Sequence, residues 1–248
     1  MTLARLIPAE LTDSLPGRVR KRLSILCGIL KEGDRVLDIG CGVGSYISNA
    51  LGYLPVYVIA IDSDPRSIEY AGNRNQHSNV EYVVADGETF RSRCMFDVVI
   101  CNHVLEHVIH PVPLLLNIER LLKPNGMFYL GIPNGFGCFE IENFVPRMLY
   151  RTRWGKRVID RMRAGSVKDS LNTGNQHVQF FTAGRIRRLL EQTGWQVVGR
   201  INEEVLGGVV TDRTVLKVLV LERWNMDIAG TLPAMMANGW IFLCRRRN

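Results

Sequence analysis

The sequence has no long uninterrupted apolar run, and cysteine is scarce. No stretch approaches the roughly 18 apolar residues that a membrane-spanning helix needs, and residues 1–8 lack the apolar core of a signal peptide. The six cysteines include no Cys-x-x-Cys pair, so we expect reduced thiols rather than disulfides or a zinc site. Together these absences predict a cytoplasmic protein.

The composition is that of an ordinary globular protein. Hydrophobic residues make up 46% and charged residues 22% of the 248 residues, which excludes an intrinsically disordered chain. The length predicts a single domain over residues 1–248. The formal net charge of +7 favours anionic partners, such as phosphorylated substrates, nucleic acid or an acidic membrane surface.

Strand-like and helix-like segments alternate along the first half of the chain. After a predicted helix over residues 18–30, the first buried strand begins at Arg35. The later apolar runs are residues 56–61, 80–85, 96–101 and 127–132, and the helices predicted between several of them are residues 45–51, 65–73 and 113–122. This alternation is typical of an α/β protein with a doubly wound, mostly parallel sheet.

Residues 135–180 interrupt the alternation and predict a lid or substrate-binding insertion. A helix over residues 183–193 follows, with Thr182 as its N-cap, and then strand-like runs at 195–199 and 240–244. Within the predicted lid, residues 147–168 form a basic segment with eight Lys and Arg side chains and one acidic side chain. Such one-sided charge favours a phosphate-bearing or membrane-associated partner, although a solvated helix face is the usual reason for a charge run.

Three glycines, Gly40, Gly42 and Gly44, follow the first strand and precede a helix. Without side chains they let the backbone turn tightly and approach a ligand. Nicotinamide enzymes place a further glycine where this chain has Ser45. Asp38, two residues before the turn, would repel a pyrophosphate but suit a ligand that carries ammonium and sulfonium charges. The turn therefore favours a cationic ligand over a dinucleotide.

Acidic residues also follow the next two strands. Asp62 lies 20 residues beyond Gly42, where its carboxylate can accept hydrogen bonds from both hydroxyls of a ribose. Asp86 and Gly87 end the third strand, where a carboxylate and an adjacent N–H can hold the amino edge and a ring nitrogen of adenine. Asp62 fits either kind of cofactor, whereas Asp86 and Gly87 favour the cationic nucleoside.

In this order, the segments Leu37–Gly44, Ala60–Asp64, Ala85–Gly87 and Phe96–His107 resemble the class I S-adenosylmethionine (SAM)-dependent methyltransferases. The resemblance covers roughly residues 33–134 and is strongest to the small-molecule branch that includes ubiquinone-biosynthesis O-methyltransferases. It implies a Rossmann-like, seven-stranded fold and SAM as the cofactor. It also implies the cofactor-binding residues, which are Asp38, Gly40, Cys41, Gly42 and Gly44 near the methionine moiety, Asp62 and Ser63 at the ribose, Asp86 and Gly87 at the adenine, and Asn102 and His103 on the far side.

Three histidines are candidates for the chemistry. Methyl transfer from a sulfonium is an in-line displacement, so the protein supplies positioning and, where needed, a base. His177 precedes Phe-Phe-Thr in a passage that resembles the same branch, in which a histidine often faces the active-site mouth, so we expect His177 to be the general base. His107 is the second candidate, because on a helix it would share a face with His103 and Glu106.

Residues 103–107 also match the His-x-x-Glu-His zinc pattern. Some ubiquinone-pathway relatives are thought to hold a metal in this stretch. However, the segment follows a strand end beside a nucleotide pocket, and His103 stands where those relatives have a carboxylate. We therefore expect no metal.

The acceptor implied by the resemblance is a hydroxyl, or an amine, of a small-molecule, sugar or lipid-linked compound. The basic segment favours an anionic acceptor and peripheral membrane contact. A nucleic-acid methyltransferase is an alternative that fits the charge, but Asn102-His-Val-Leu lacks the two prolines that base-amine enzymes place after the fourth strand. An NAD-dependent oxidoreductase and a non-catalytic SAM-binding protein are further alternatives, and the sequence does not indicate an oligomeric state.

Overall fold

A computed structural model of the protein describes residues 3–44, 46–137, 177–206 and 219–247. The strands are β1 (Arg35–Ile39), β2 (Tyr57–Asp62), β3 (Val80–Val84), β4 (Phe96–Asn102), β5 (Leu122–Pro133), β6 (Trp195–Asn202) and β7 (Gly239–Arg246). The helices are α1 (Ala9–Ser14), α2 (Gly17–Ile29), α3 (Ile47–Leu51), α4 (Pro65–Arg74), α5 (Pro111–Leu121), α6 (Ala183–Gln192) and α7 (Leu219–Ala229). Short 3-10 helices cover Leu3–Leu6, Leu105–His107 and Ala234–Met236.

The strands form one seven-stranded sheet in the order β3-β2-β1-β4-β5-β7-β6. The first five strands in this order pair in parallel, and β7 pairs antiparallel with both β5 and β6. Val36 of β1 lies opposite Val58 of β2 on one side and Val98 of β4 on the other. The predicted Rossmann-like, mostly parallel, seven-stranded α/β fold is confirmed.

Side chains of the central strands alternate between two apolar layers, as the two-residue period of a strand requires. Val36 packs with α2 and α3 on one face of the sheet, whereas Leu37 and Ile39 pack with α5 and α6 on the other. Val36 and Leu37 are fully buried, and burying a side chain of this size contributes about 1.5–3 kcal/mol. Burial on both faces explains why β1 carries apolar side chains on both of them.

Most of the predicted elements agree with the structure to within a few residues. Thr182 is the N-cap of α6, since its Oγ1 accepts a hydrogen bond from the Arg185 N–H at 3.2 Å. The shared helical face considered for His103, Glu106 and His107 does not form, because only Leu105–His107 form a 3-10 turn and His103 has a left-handed φ of 57°. Helices α1 and α7 were not predicted. These two helices lie outside the strand–helix alternation that guided the sequence prediction.

The predicted lid, residues 135–180, lies outside the described residues except for 135–137 and 177–180, and so does the whole basic segment. The cysteines of the described part, which are Cys27, Cys41, Cys94, Cys101 and Cys244, are free thiols, as expected. Of the helices that the structure describes, none combines the length and the apolar character needed to cross a membrane.

Candidate active site

The candidate site lies at the carboxyl ends of the parallel strands. The strand order reverses beside β1, which is followed along the chain by β2 on one side but adjoins β4 on the other. Ligands of open α/β sheets bind at such a switch point. The described residues there line a cavity of about 950 Å³, at the upper end of the usual range for small-molecule sites.

The turn after β1 leaves room for a ligand at the backbone. Gly40, Gly42 and Gly44 all have positive φ angles, of 70°, 55° and 63°, which residues with side chains rarely adopt. A Cβ on Gly40 would lie 2.2 Å from Cγ2 of Val104, whereas nothing lies within 4 Å of a Cβ position at Gly42. The close contact with Val104 therefore requires a glycine at position 40. Gly42 lines the cavity, so its backbone is open to a ligand.

Gly44 has a different place from the other two glycines. It does not line the cavity, and a Cβ there would lie 2.8 Å from the Tyr82 ring of β3. Its left-handed backbone shapes the turn and lets it pack against the neighbouring strand. Cys41 and Ser63, by contrast, both line the cavity.

Asp62 fixes the glycine turn as well as facing the cavity. Its Oδ2 accepts a hydrogen bond from the Gly42 N–H at 2.8 Å, and its Oδ1 accepts one from the Asp64 N–H at 2.9 Å. An ionised carboxylate has about four acceptor positions, so these two bonds leave capacity for ribose hydroxyls. The backbone role was not predicted.

Asp38 is buried behind the turn, with 3% of its surface exposed. The Ser48 hydroxyl donates a 2.5 Å hydrogen bond to its Oδ2. Burial, together with the charge of Asp62, raises the pKa of Asp38 to about 7, and the Ser48 hydrogen bond opposes the rise. A cationic group placed in this part of the cavity would favour the ionised form of Asp38.

Asp86, Gly87 and Asn102 line the same cavity. Asp86 Oδ1 accepts the Glu88 N–H at 2.8 Å, which orders the turn after β3. A Cβ on Gly87 would lie 2.7 Å from Ile39, so this position requires glycine for packing. Three carboxylates and an open glycine backbone on this side of the cavity, with no lysine or arginine among the described residues there, fit a cationic adenine nucleoside and thus fit SAM.

His103 lies in a charged network that was not predicted. Its Nδ1 is 3.2 Å from Glu106 Oε1, and its Nε2 is 2.6 Å from Arg22 Nη2. Arg22 also binds Glu203 with two hydrogen bonds, of 2.5 and 3.0 Å. Burial and Arg22 disfavour the protonated imidazole, but the hydrogen bonds with Glu106 and Glu203 raise the pKa of His103. His103, Arg22 and Glu203 all line the cavity.

His107 and His177 come together at the cavity, although 70 residues separate them in the sequence. Their ring centroids are 4.9 Å apart, and the rings are inclined by 66°. The Glu106 carbonyl oxygen accepts the N–H groups of Val178 and Gln179 at 2.9 and 3.0 Å, which holds His177 beside the 3-10 turn. Glu106, His107 and His177 each have a potential ligand atom within 4.8 Å of the others, so their geometry could also hold a cation.

Comparison with known proteins identifies the relatives of this chain. A family model described as a methyltransferase domain matches residues 11–199. The ubiquinone biosynthesis O-methyltransferase of Schizosaccharomyces pombe is 34% identical over 119 residues, which is 44% of this chain and 43% of that protein. The chain thus spans less than half of the length of this relative.

Solved structures share the fold at low sequence identity. A TehB-like SAM-dependent methyltransferase from Corynebacterium glutamicum aligns with a TM-score of 0.56 and 16% identity, covering 94% of this chain and 89% of that one. The 1,6-didemethyltoxoflavin-N1-methyltransferase of Burkholderia thailandensis, solved with S-adenosylhomocysteine, aligns with a TM-score of 0.57 and 16% identity. This alignment covers 94% of this chain and 80% of the toxoflavin enzyme's chain.

Proposed function

Because the chain belongs to the class I SAM-dependent methyltransferases, we propose that it transfers a methyl group from SAM to a hydroxyl of a small-molecule, sugar or lipid-linked acceptor. One observation carries the proposal. The turn after β1 and the ends of β2, β3 and β4 place Asp38, Asp62, Asp86 and an open glycine backbone around one cavity. This set of groups complements the ammonium, ribose and adenine of SAM.

The cofactor assignments follow from this arrangement and are part of the proposal. Asp38 and the backbone of Gly40, Cys41 and Gly42 would hold the methionine end of the cofactor. The remaining assignments are Asp62 and Ser63 to the ribose, Asp86 and Gly87 to the adenine, and Asn102 and His103 to the far side. When bound, SAM supplies an electrophilic methyl group on a sulfonium, and the chain's own residues orient the acceptor in line with it.

His177 is the proposed general base. It lines the cavity beside His107 and next to Glu106. Burial opposes ionisation of Glu106, but its hydrogen bond with His103 and the charges of His103 and His107 lower its pKa. An ionised carboxylate here would stabilise a histidine that has taken up the proton of the acceptor hydroxyl.

The anionic character of the acceptor and a contact with the membrane surface rest on the sequence of the basic segment. Its eight basic side chains lie within the predicted lid, between Gly137 and His177. Both flanking residues belong to the described chain, and His177 lines the cavity. A basic segment of this kind could hold a phosphate of the acceptor or an acidic lipid surface.

Calorimetric titration with SAM and with NAD tests the proposal. We expect micromolar binding of SAM to the wild type and a dissociation constant at least roughly tenfold higher in Asp62→Ala, because hydrogen bonds to the ribose are lost. Asp62 also holds the glycine turn, so Asp86→Ala provides a second variant that leaves this turn intact. Asp13→Ala, on the exposed side of α1, is the matched control and should bind SAM like the wild type.

Both site variants must retain the wild-type circular dichroism spectrum for the comparison to count. If the wild type binds NAD but not SAM, the proposal is wrong and the glycine turn serves a dinucleotide. If SAM binds but a broad acceptor panel that includes RNA and DNA yields no methylated product, a non-catalytic SAM-binding protein becomes the better conclusion.

A further inference from the structure

Beyond the cofactor residues, the cavity continues along the ends of β6 and β7. β7 runs antiparallel to β6, so Glu203 and Glu204, which follow β6, lie at the same edge of the sheet as Asn238, which precedes β7. All three side chains are buried and line the cavity, at 4%, 8% and 7% exposure. This acceptor end of the cavity plays no part in the proposed cofactor contacts.

The acceptor end has a fixed geometry. Asn238 Nδ2 lies 3.3 Å from Glu204 Oε1, and Arg18 of α2 lies 3.9 Å from the same oxygen. The backbone is also fixed, because the Asn238 N–H donates to the Glu204 carbonyl at 2.7 Å and the Asn134 N–H donates to the Asn238 carbonyl at 2.8 Å. A carboxylate and an amide are therefore held side by side on a rigid wall.

Pro16, Arg18, Val19, Arg22 and Pro133 also line the cavity. Arg18 and Arg22 lie beside Glu204 and Glu203, so this end presents paired charged groups rather than an apolar wall. A planar aromatic acceptor gains affinity from stacking against rings and from apolar contact. An aliphatic diol gains it from carboxylate and amide groups, which accept and donate hydrogen bonds to adjacent hydroxyls.

We infer that the acceptor end binds the adjacent ring hydroxyls of a carbohydrate, with Glu204 and Asn238 as specificity-determining residues. The inference rests on the proposed methyltransferase function and specifies its acceptor.

Ligand-observed NMR on protein loaded with S-adenosylhomocysteine tests the inference without a known acceptor. The probes are methyl α-mannopyranoside and methyl α-rhamnopyranoside, with catechol as the aromatic diol. We expect saturable binding of at least one glycoside to the wild type, and a roughly tenfold or greater rise in its dissociation constant in Glu204→Gln, since a charge-assisted hydrogen bond is lost.

Two controls make the result specific. Glu191→Gln changes an exposed glutamate on α6 that pairs with Arg187 at 2.9 Å, and it should bind the glycoside like the wild type. Calorimetry with S-adenosylhomocysteine on the unloaded proteins should give the same affinity for wild type and Glu204→Gln. Glutamine has nearly the shape of glutamate and keeps an acceptor for the Asn238 amide, so the variant should fold.

The possible results separate the two proposals. If S-adenosylhomocysteine binds but no glycoside does, or if catechol binds and the glycosides do not, the carbohydrate inference is overturned and the methyltransferase proposal stands. Glycoside binding that is equal in wild type and Glu204→Gln also overturns it. If S-adenosylhomocysteine itself fails to bind the wild type, the proposed function fails first.

Discussion

At the scale of single residues, Asp38 shows how burial changes the pKa of a carboxylate that lines the cavity. The side chain is almost completely buried, and its pKa lies at about 7 rather than near its ordinary value. Near neutral pH the free protein is therefore divided between protonated and ionised Asp38. A cationic ligand favours the ionised form, so binding must release a proton from the protonated fraction.

We expect the affinity for SAM to rise with pH between about 5.5 and 7, by up to about tenfold per pH unit, and then to level off. The α-amino group of SAM stays protonated in this range, because such groups have pKa values near 7.7–8.0. Titration calorimetry in two buffers with different ionisation enthalpies would measure the released proton. Asp38→Asn, the neutral isostere, should bind more weakly and lose the pH dependence. A pH-independent affinity in the wild type would contradict the assignment.

The pair of His107 and His177 is the second residue-scale feature. We expect His177→Ala to lower kcat by about 10²–10⁴-fold, the usual contribution of a general base. The dissociation constant for SAM should stay within about twofold of wild type, because His177 is placed toward the acceptor. Turnover is measured with the acceptor that the screen identifies. His77→Gln, away from the cavity and bonded to Asn49 at 2.9 Å, is the matched control.

Dialysis against EDTA distinguishes this role from a metal site. Glu106, His107 and His177 could hold a cation by geometry, but a bound cation would use the lone pair that a base needs. We expect turnover to survive chelation. Loss of turnover that a divalent cation restores would assign the three residues to a metal.

At the scale of elements, hydrogen bonds and an ion pair join α2 to the segment after β6. Lys21 Nζ donates to the carbonyl oxygens of Asn202 and Glu203, both at 2.8 Å. Arg22 binds the Glu203 carboxylate through two nitrogens. Although burial opposes ionisation, Arg22 lowers the pKa of Glu203. The contact joins the far edge of the sheet to a helix that packs on its centre.

Breaking this pair should be costly. We expect Arg22→Met to lower the free energy of unfolding by about 3–5 kcal/mol, because it leaves a buried carboxylate without its partner. The double variant Arg22→Met with Glu203→Leu should recover much of this loss, since no buried charge is then unpaired. Urea unfolding followed by circular dichroism measures both. Equal stability of Arg22→Met and wild type would show that the ion pair contributes nothing.

The pair also has a defined pH dependence. The folded-state pKa of Glu203 is lowered, so its contribution to stability is present above the pKa of an unfolded glutamate, about 4.3. It is lost as the pH falls toward the folded-state pKa. In the urea experiment, the difference between wild type and the double variant should therefore change as the pH falls below about 4.3.

At the scale of the whole molecule, the described groups assigned to the proposed reaction lie at the carboxyl ends of the parallel strands. The parallel strands β1 to β5 end at this edge of the sheet, and the antiparallel β7 begins there. The residues proposed to bind the cofactor come from the first half of the chain, and the proposed acceptor end comes from α2, the segment after β6 and the residue before β7.

The sequence by itself determined the parts of this protein that depend on local signals. The alternation of apolar runs predicted the strands, and the glycine turn with Asp38, Asp62 and Asp86 predicted one side of the cavity, because each residue lies at or near the carboxyl end of a strand. Local spacing did not reveal the left-handed backbone at His103.

Only the tertiary structure decided which distant residues meet. Arg22 and Glu203 are separated by 181 residues and yet share a buried ion pair. His107 contacts His177, although the predicted lid lies between them in the sequence. Nothing in the neighbourhood of Arg22 distinguishes it from the other basic residues of α2. Its role depends on the strand order, in which β7 lies between β5 and β6 and is antiparallel to both, so that the end of β6 lies on the same side as the ends of the central strands. Strand order is a property of the packed sheet rather than of any local segment.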